Sequence, residues 1–310
     1  MNKLAYIILI GFIFLFQHCK DPEITNDLLD GDVIFDASLY QPENFLVSAK
    51  YPNPTPDDLN RHILIAVHGY SASTFEWQEF QDWSTNQNTY RTSQVLLGGH
   101  GRTYADFKEA SWEDWKASII DEYEKLEQLG YQKISLVGSS TGATLILELL
   151  STDYFDTHIP PQNVFCIDPI VVSSIKIQSI AGIIGPMLGY VESSVEGNET
   201  KYWYKFRPHE TVSELNYVMK RVQKKLENGI ILPHSTYMKV YHSKNDPTAS
   251  STSTVLIYKG TRTSQNGSIE VEVMDSDIHV FTRLALRDGV NSKMRSNQQH
   301  AFLEMANRLN

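Results

Sequence analysis

The stretch from Ile134 to Ala143, ISLVGSSTGA, places two adjacent serines between two glycines at the end of an apolar run. The apolar residues predict a buried strand, and Ala143–Leu150 predicts a helix directly after the polar turn. A strand, a sharp turn and a helix in this order are typical of an α/β protein with a mostly parallel sheet. The turn between them is also where such folds place reactive side chains.

The spacing of the two glycines selects one of the two serines. Gly138, Ser140 and Gly142 fit the pattern G-x-S-x-G, which exposes a nucleophilic serine on a strained turn between strand and helix. Ser139 does not fit, because side chains would then stand at both glycine positions. The pattern arises by chance in about one chain in ten of this size, so Ser140 needs support from the rest of the sequence.

Further apolar runs continue the alternation of strands and helices. Helical spacing of large apolar residues runs from Trp112 to Leu129, and Gly130 stands where a glycine would end that helix. The run Ile269–Val273 alternates apolar and polar residues, as an edge strand does. The other predicted strands are His62–His68, Gln94–Leu97, Lys133–Val137, Val164–Ile167 and Met238–Tyr241. Together these patterns predict βαβ units with ligands at the carboxyl ends of the strands.

Two regions interrupt this alternation. Residues 19–60 contain several prolines and predict a tether, a short edge hairpin and turns. Residues 171–229 contain an apolar segment rich in Gly and Pro, and then Thr211-Val-Ser-Glu214, a capping-box pattern that predicts a helix start. We therefore expect the main domain to comprise residues 61–170 and 230–310, with 171–229 as a helical cap insertion.

The N-terminus has the features of an export signal. Lys3 precedes an apolar run from Leu4 to Phe16, which is short for a membrane span and matches the hydrophobic part of a signal peptide. We therefore expect residues 1–18 to be a signal peptide. Cys19 follows and resembles the lipidated cysteine of bacterial lipoproteins. This resemblance implies an exported protein that is attached to a membrane through Cys19, or is otherwise periplasmic or secreted.

The composition excludes several classes of function. The 310 residues include 27 Lys and Arg against 37 Asp and Glu, a net charge of −10 without any basic run, which argues against a nucleic-acid surface. The only cysteines are Cys19 and Cys166, so a disulfide framework is excluded and no Cys/His cluster has the spacing of a zinc site. The sequence therefore does not predict a zinc site.

A nucleophilic serine also needs donors for the oxyanion that forms on its substrate. His68-Gly69 ends a predicted strand and opens a loop that can present the main-chain N–H of Tyr70. Thr141 follows the serine and presents a second N–H at the start of a helix. We therefore predict Tyr70 and Thr141 as oxyanion donors, and His68 and Gly69 as substrate-binding residues.

The serine further needs a base and an acid that orients the base, which in this architecture follow in the order Ser, Asp/Glu, His. Asp246 and His279 each follow a predicted strand, in that order. They are the predicted acid and base. The alternatives that the sequence leaves open are Asp275 or Asp277 as the acid, His242 as the base, and Asp168 as a residue that orients a base or binds substrate.

Taken together, His68-Gly69, Gly138–Gly142, Asp246 and His279 resemble the serine esterases and lipases of the α/β-hydrolase family. The likeness is strongest to bacterial carboxylesterases and monoacylglycerol lipases. Gly99-His100-Gly101 is similar to a glycine-histidine-glycine loop of that group, although the motif alone favours a structural turn. The resemblance implies an α/β-hydrolase fold, a cap that forms the acyl pocket, and hydrolysis of a small-molecule or lipid ester without a cofactor.

Other functions remain open at this level. A thioesterase, a peptidase or a lysophospholipase uses the same three residue types on the same fold. A lipid-anchored binding protein that keeps the fold without turnover is an alternative of another class. A phosphate-binding loop at Gly138–Gly142 is disfavoured, because no Lys follows the glycines and G-x-G-x-x-G is absent.

Overall fold

A six-stranded parallel sheet forms the centre of the described part of the protein. The computed structural model describes residues 41–85, 89–174, 189–193, 195 and 197–310, and the single positions 29 and 38. The strands in this part of the chain are β1 His62–Val67, β2 Tyr90–Val95, β3 Ile134–Ser139, β4 Asn163–Ile167, β5 Tyr190–Glu192, β6 Phe206–Pro208, β7 Ile230–Ile231, β8 Tyr237–Ser243, β9 Thr261–Arg262 and β10 Glu270–Met274.

Helices cover both faces of this sheet. The described α-helices are α1 Val47–Lys50, α2 Pro56–Leu59, α3 Gln78–Ser84, α4 Tyr104–Glu109, α5 Trp112–Gln128, α6 Thr141–Leu150, α7 His209–Asn228, α8 Thr252–Gly260 and α9 Ser292–Leu309. Short 3-10 helices span Pro42–Asn44, Thr74–Trp77, Tyr154–Asp156 and Gly197–Lys201. Among the described residues, no helix is both long and apolar enough to span a membrane.

The side chains of β1 show how the two faces are built. Ile63, Ile65 and Val67 belong to one apolar cluster, which includes residues of α5, α6, α7 and α8. Leu64 and Ala66 point the other way and belong to a second cluster with residues of α3 and α9. Because successive side chains of a strand alternate between faces, a continuous apolar run is required where helices cover both. This three-layer arrangement confirms the predicted α/β class.

Several predicted elements match the structure closely. Helix α5 ends at Gln128, and Gly130 adopts φ +98°, as expected of a glycine that follows a helix. Among the described strands, the central sheet has the order β10-β8-β4-β3-β1-β2, and β10 pairs with β8 alone, so β10 is the predicted edge strand. Strand β2 begins earlier than the apolar run Gln94–Leu97 suggests, because the polar residue Ser93 is held inside the strand by Val47 N–H and Glu122.

The segment before the sheet folds differently from the prediction. Within residues 41–60 the structure has a 3-10 turn and the two short helices α1 and α2, so no strand of the expected hairpin lies there. This segment packs on the edge of the sheet, since Gln94 N–H donates to Phe45 O at 2.8 Å. The predicted signal peptide and Cys19 lie outside the described residues, so export and lipidation stay predictions.

Part of the region predicted as a cap packs against the central sheet. Helix α7 begins at His209, so Thr211 lies inside its first turn and is not the N-cap residue. The hydroxyl of Thr211 forms hydrogen bonds with Tyr70 Oη at 2.7 Å and with Pro208 O at 3.0 Å. The capping-box prediction is therefore wrong. The side chains of Val218 and Val222 lie in the core cluster of the sheet, so residues 171–229 include a helix of the flanking layer.

Candidate active site

The turn that carries Ser140 is strained, and its two glycines allow it. Ser140 has φ 49° and ψ −115°, a region that residues with side chains rarely adopt. A Cβ added to Gly138 would lie 2.5 Å from Ala143 N, and one added to Gly142 would overlap the carbonyl oxygen of Val67. Close contact of the following helix with β3 and β1 thus requires glycine on both sides of the serine, as the sequence pattern predicts.

Ser140, His279 and Asp246 lie together in one hydrogen-bonded chain. Ser140 follows β3, while Asp246 and His279 lie in the loops after β8 and β10. His279 Nε2 is 2.8 Å from Ser140 Oγ, and His279 Nδ1 is 2.7 Å from Asp246 Oδ2. A carboxylate can only accept a hydrogen bond, so Nδ1 carries the proton and Nε2 is free to accept the proton of the serine.

The pKa values of the acid and the base reflect this contact. Burial disfavours the charged imidazolium of His279, but the hydrogen bond and the charge of Asp246 outweigh it and raise the pKa of His279. Burial also opposes the charged form of Asp246. The hydrogen bond and charge of His279, with the main-chain N–H groups of Thr248 at 2.7 Å and Ala249 at 2.9 Å, prevail and lower the pKa of Asp246. The pair therefore favours an ionised Asp246.

Asp168 joins the end of β8, which precedes the loop of the acid, to the loop of the base. Its buried carboxylate accepts the N–H of Ser243 at 2.6 Å, the hydroxyl of Ser243 at 3.1 Å and the N–H of Phe281 at 3.1 Å. Burial raises the pKa of Asp168 to about 6. The sequence left two roles open for Asp168, orientation of a base or binding of substrate. The contact with the N–H of Phe281, two residues after His279, fits the first of these roles. Arg287 holds the same loop, donating from Nη2 to His279 O at 2.5 Å.

The loop after β1 lies against the nucleophile. A Cβ on Gly69 would be 3.1 Å from Ser140 Cβ, so the main chain that leads to Tyr70 passes beside the serine. Neither the N–H of Tyr70 nor that of Thr141 has an acceptor among the described residues. Both N–H groups thus lack a described acceptor, and their role as oxyanion donors stays a prediction.

Glu76 is a residue of this site that the sequence analysis missed. Its Oε1 accepts the N–H of Gly69 at 2.7 Å and also the hydroxyl of Ser139. The side chain is buried and lies beside the cavity of the nucleophile. It therefore fastens the loop after β1 to the turn after β3. The only sequence signal was an acidic residue between two aromatic ones, Phe75 and Trp77.

Two histidines hold loops and do not face the cavity. His68 is fully buried, accepts the N–H of Leu97 on Nε2 at 3.1 Å, and bonds through Nδ1 to Gly69 O at 2.8 Å. Its predicted role in substrate binding is therefore wrong, because the ring links the loops after β1 and β2; of the predicted pair, only Gly69 lines the cavity. His100 is buried and accepts the N–H of Ser71 at 3.2 Å, which agrees with a structural turn at that motif.

Of the alternative acids and bases, Asp277 lines the cavity of Ser140, whereas Asp275 and His242 are not among the described residues that line it. Asp275 is exposed and pairs with Lys293 at 2.6 Å. The ring of His242 is buried, has no hydrogen-bond partner among the described residues, and lies 3.9 Å from Asp168 Oδ1. Asp168, His242 and Asp246 do bring ligand-type atoms within 4.8 Å of one another. Their carboxylate oxygens already accept N–H groups of the loops, so the cluster serves to hold these loops together.

A cavity of about 820 Å³ opens beside Ser140 and His279. The loop after β1, the hairpin β5–β6 and residues 277–288 contribute to its wall. Its described lining is rich in charged side chains, among them Glu76, Glu199, Arg207, Asp277, Arg283 and Asp288. The apolar segment of the predicted cap, 180–188, lies outside the described residues.

Comparison with known proteins identifies the fold. The sequence matches no protein-family profile and no curated protein. Many solved structures are nevertheless similar. One of them comes from work on LipS and LipT, two metagenome-derived lipolytic enzymes. It has 16% sequence identity and a TM-score of 0.62, and the match covers 80% of this chain and 94% of the other.

Two further similar structures are monoacylglycerol lipases. The monoglyceride lipase of Saccharomyces cerevisiae, solved with a substrate analogue, has 12% identity, a TM-score of 0.61, and coverage of 83% of this chain and 88% of that one. The enzyme of Paleococcus ferrophilus has 15% identity, a TM-score of 0.58, and coverage of 79% and 94%. At such identities the likeness establishes the fold, which is that of the α/β-hydrolases.

Proposed function

We propose that the protein hydrolyses carboxylic esters, with Ser140 as nucleophile, His279 as general base and Asp246 as the acid that orients it. The observation that supports this most directly is the continuous chain of hydrogen bonds, 2.8 Å from serine to imidazole and 2.7 Å from imidazole to carboxylate. Such a chain is what a serine needs to become nucleophilic.

In the first half of the reaction, His279 Nε2 takes the proton of Ser140 as Oγ attacks the ester carbonyl. The carbonyl oxygen gains the negative charge and accepts hydrogen bonds from the N–H groups of Tyr70 and Thr141. His279 then gives its proton to the leaving alcohol, and the acyl group stays on Ser140. In the second half, a water molecule loses a proton to His279 and attacks the acyl ester. His279 then returns that proton to Ser140 Oγ as the bond to the acyl carbon breaks and the carboxylic acid leaves.

The strained backbone of Ser140 favours this role over a purely structural one. A non-glycine residue at φ 49° carries a conformational cost that other contacts must offset. The same backbone conformation presents the hydroxyl to His279 and to the cavity. A binding protein without turnover would require none of this alignment, so we favour an enzyme.

Within the hydrolases, we propose a carboxylesterase or a monoacylglycerol lipase. The names of the similar structures, which refer to lipolytic enzymes and monoglyceride lipases, support esters over other acyl compounds. Thioesters, amides and lysophospholipids would react through the same three residues. The choice among them depends on the cavity, and a panel of substrates distinguishes them.

The proposal is tested by Ser140→Ala in the purified protein. We expect hydrolysis of a short 4-nitrophenyl ester to fall by at least about 10⁴-fold, and covalent labelling by a fluorophosphonate probe to disappear. Ser139→Ala is the matched control, since it removes the neighbouring hydroxyl and should leave labelling intact. Labelling of Ser140→Ala, or ester hydrolysis at the wild-type rate, would show that Ser140 is not the nucleophile.

A further inference from the structure

Three arginines line the cavity beside Ser140, and they differ in their partners. Arg283 forms an ion pair with Glu199. Arg287 donates to two main-chain carbonyls, those of Arg283 and His279. Arg207 alone of the three has neither a carboxylate nor a carbonyl partner among the described residues. Arg207 therefore keeps N–H donors for a ligand, whereas the other two arginines use theirs within the protein.

The contacts of Arg207 are few. It lies in β6, on the hairpin over the site, and its guanidinium carbon is 5.6 Å from the centre of the Tyr70 ring. Nη2 donates to Ser193 Oγ at 3.1 Å, while Nε is buried without a partner among the described residues. Nη1 makes no hydrogen bond to a described residue and is not among the buried atoms, so it remains accessible.

A cation in this position is unfavourable without a counter-ion. Burial lowers the pKa of Arg207, and only Tyr70 opposes this effect. The free energy that the guanidinium loses with its hydration is larger than the free energy that one cation–π contact provides. These observations indicate that the missing partner of Arg207 is an anion that enters the cavity.

We propose that Arg207 binds a carboxylate on the substrate, and that the preferred substrates are esters that carry one free carboxylate besides the bond that is cleaved. This rests on the proposed ester hydrolysis at Ser140. A guanidinium presents a planar pair of N–H donors that matches a carboxylate. One guanidinium balances one negative charge, and the carboxylates of Glu76, Asp277 and Asp288 in the same cavity disfavour a phosphate dianion.

The test compares three chromogenic esters with the same acyl length. 4-Nitrophenyl hexanoate is neutral, mono-4-nitrophenyl adipate carries a carboxylate on the acyl side, and 3-carboxy-4-nitrophenyl hexanoate carries one on the alcohol side. The measured quantity is the ratio of kcat/KM for each anionic ester to that for the neutral ester. We expect the wild type to prefer one of the anionic esters, and Arg207→Met to lower that ratio by about 10- to 100-fold.

Two further variants separate binding from general charge and from folding. Lys205→Met removes an exposed cation of the same segment, which pairs with Glu192 outside the cavity lining, and should leave the ratio unchanged. Arg207→Lys keeps the charge without the planar pair of donors, so its ratio should be intermediate.

The outcomes are distinguishable from a failure of the proposed function. Hydrolysis of the neutral ester by the wild type establishes the esterase independently of Arg207. Equal kcat/KM for all three esters in the wild type would overturn the carboxylate proposal. So would a ratio that stays the same in Arg207→Met while both rates fall, since Arg207 would then only support the fold.

Discussion

Replacement of Glu76 tests whether a buried carboxylate holds the loop that leads to Tyr70. Its Oε1 is the acceptor for the N–H of Gly69 at 2.7 Å and for the hydroxyl of Ser139. Glu76→Ala leaves both donors without this acceptor, and a buried unsatisfied donor costs about 1–3 kcal/mol. Ser139 Oγ retains Val67 O at 3.3 Å as an alternative. The main loss is therefore that of Gly69, and we expect about 1–3 kcal/mol in the free energy of unfolding.

Glu76→Gln is the matched control, because the glutamine keeps an oxygen where both donors point. It should remain within about 1 kcal/mol of the wild type. Urea unfolding, followed by tryptophan fluorescence, measures both variants. Turnover of a neutral ester should also fall in Glu76→Ala, approaching the 10²–10³-fold typically lost with one oxyanion donor. Equal destabilisation by Ala and Gln would refute the reasoning, because the shared oxygen would then be irrelevant.

Three other predictions concern the base and the turn. Because Asp246 raises the pKa of His279 and only the neutral ring accepts a proton, kcat/KM should rise with pH through a midpoint above about 6.5; a lower midpoint in the pH profile contradicts this. The charge of Glu76 also raises that pKa, so Glu76→Gln should move the midpoint to lower pH. Gly142→Ala forces a Cβ against Val67 O and should destabilise the protein by about 3 kcal/mol or more, measured by urea unfolding.

The parts of the site that the sequence predicted are those tied to the ends of strands. Ser140, Asp246 and His279 each follow an apolar run of the chain, and parallel strands bring their carboxyl ends to one edge of the sheet. Local pattern and chain order were therefore enough to predict which three residues meet. The helix before Gly130 was equally clear, since both its apolar spacing and its terminal glycine are local signals.

The parts that the sequence missed depend on contacts between distant residues. Asp168 reaches Ser243 across 75 positions and Phe281 across 113, and nothing near Asp168 in the sequence indicates either partner. The capping-box pattern at Thr211 failed for the same reason, because its hydroxyl bonds with Tyr70 Oη, 141 positions away. His68 was assigned to the substrate although its ring joins two loops. Tertiary contacts override local preference in each case.

The position of Asp168 has a consequence for how such a protein can diverge. Its carboxylate ties the last residue of β8 and the loop after β10 to the end of β4, and these three strands are neighbours in the sheet. The distance between acid and base is thus set by the sheet and by one buried side chain, although the segment between β5 and β6 also contacts the loop of the base through the ion pair of Glu199 with Arg283. The hairpin β5–β6 itself contributes to the wall of the cavity. Mutations can accumulate in that hairpin and alter which molecules enter, while the reacting groups keep their alignment. Selection can in this way act on specificity and on chemistry separately, so that new substrates are acquired without a loss of turnover along the way.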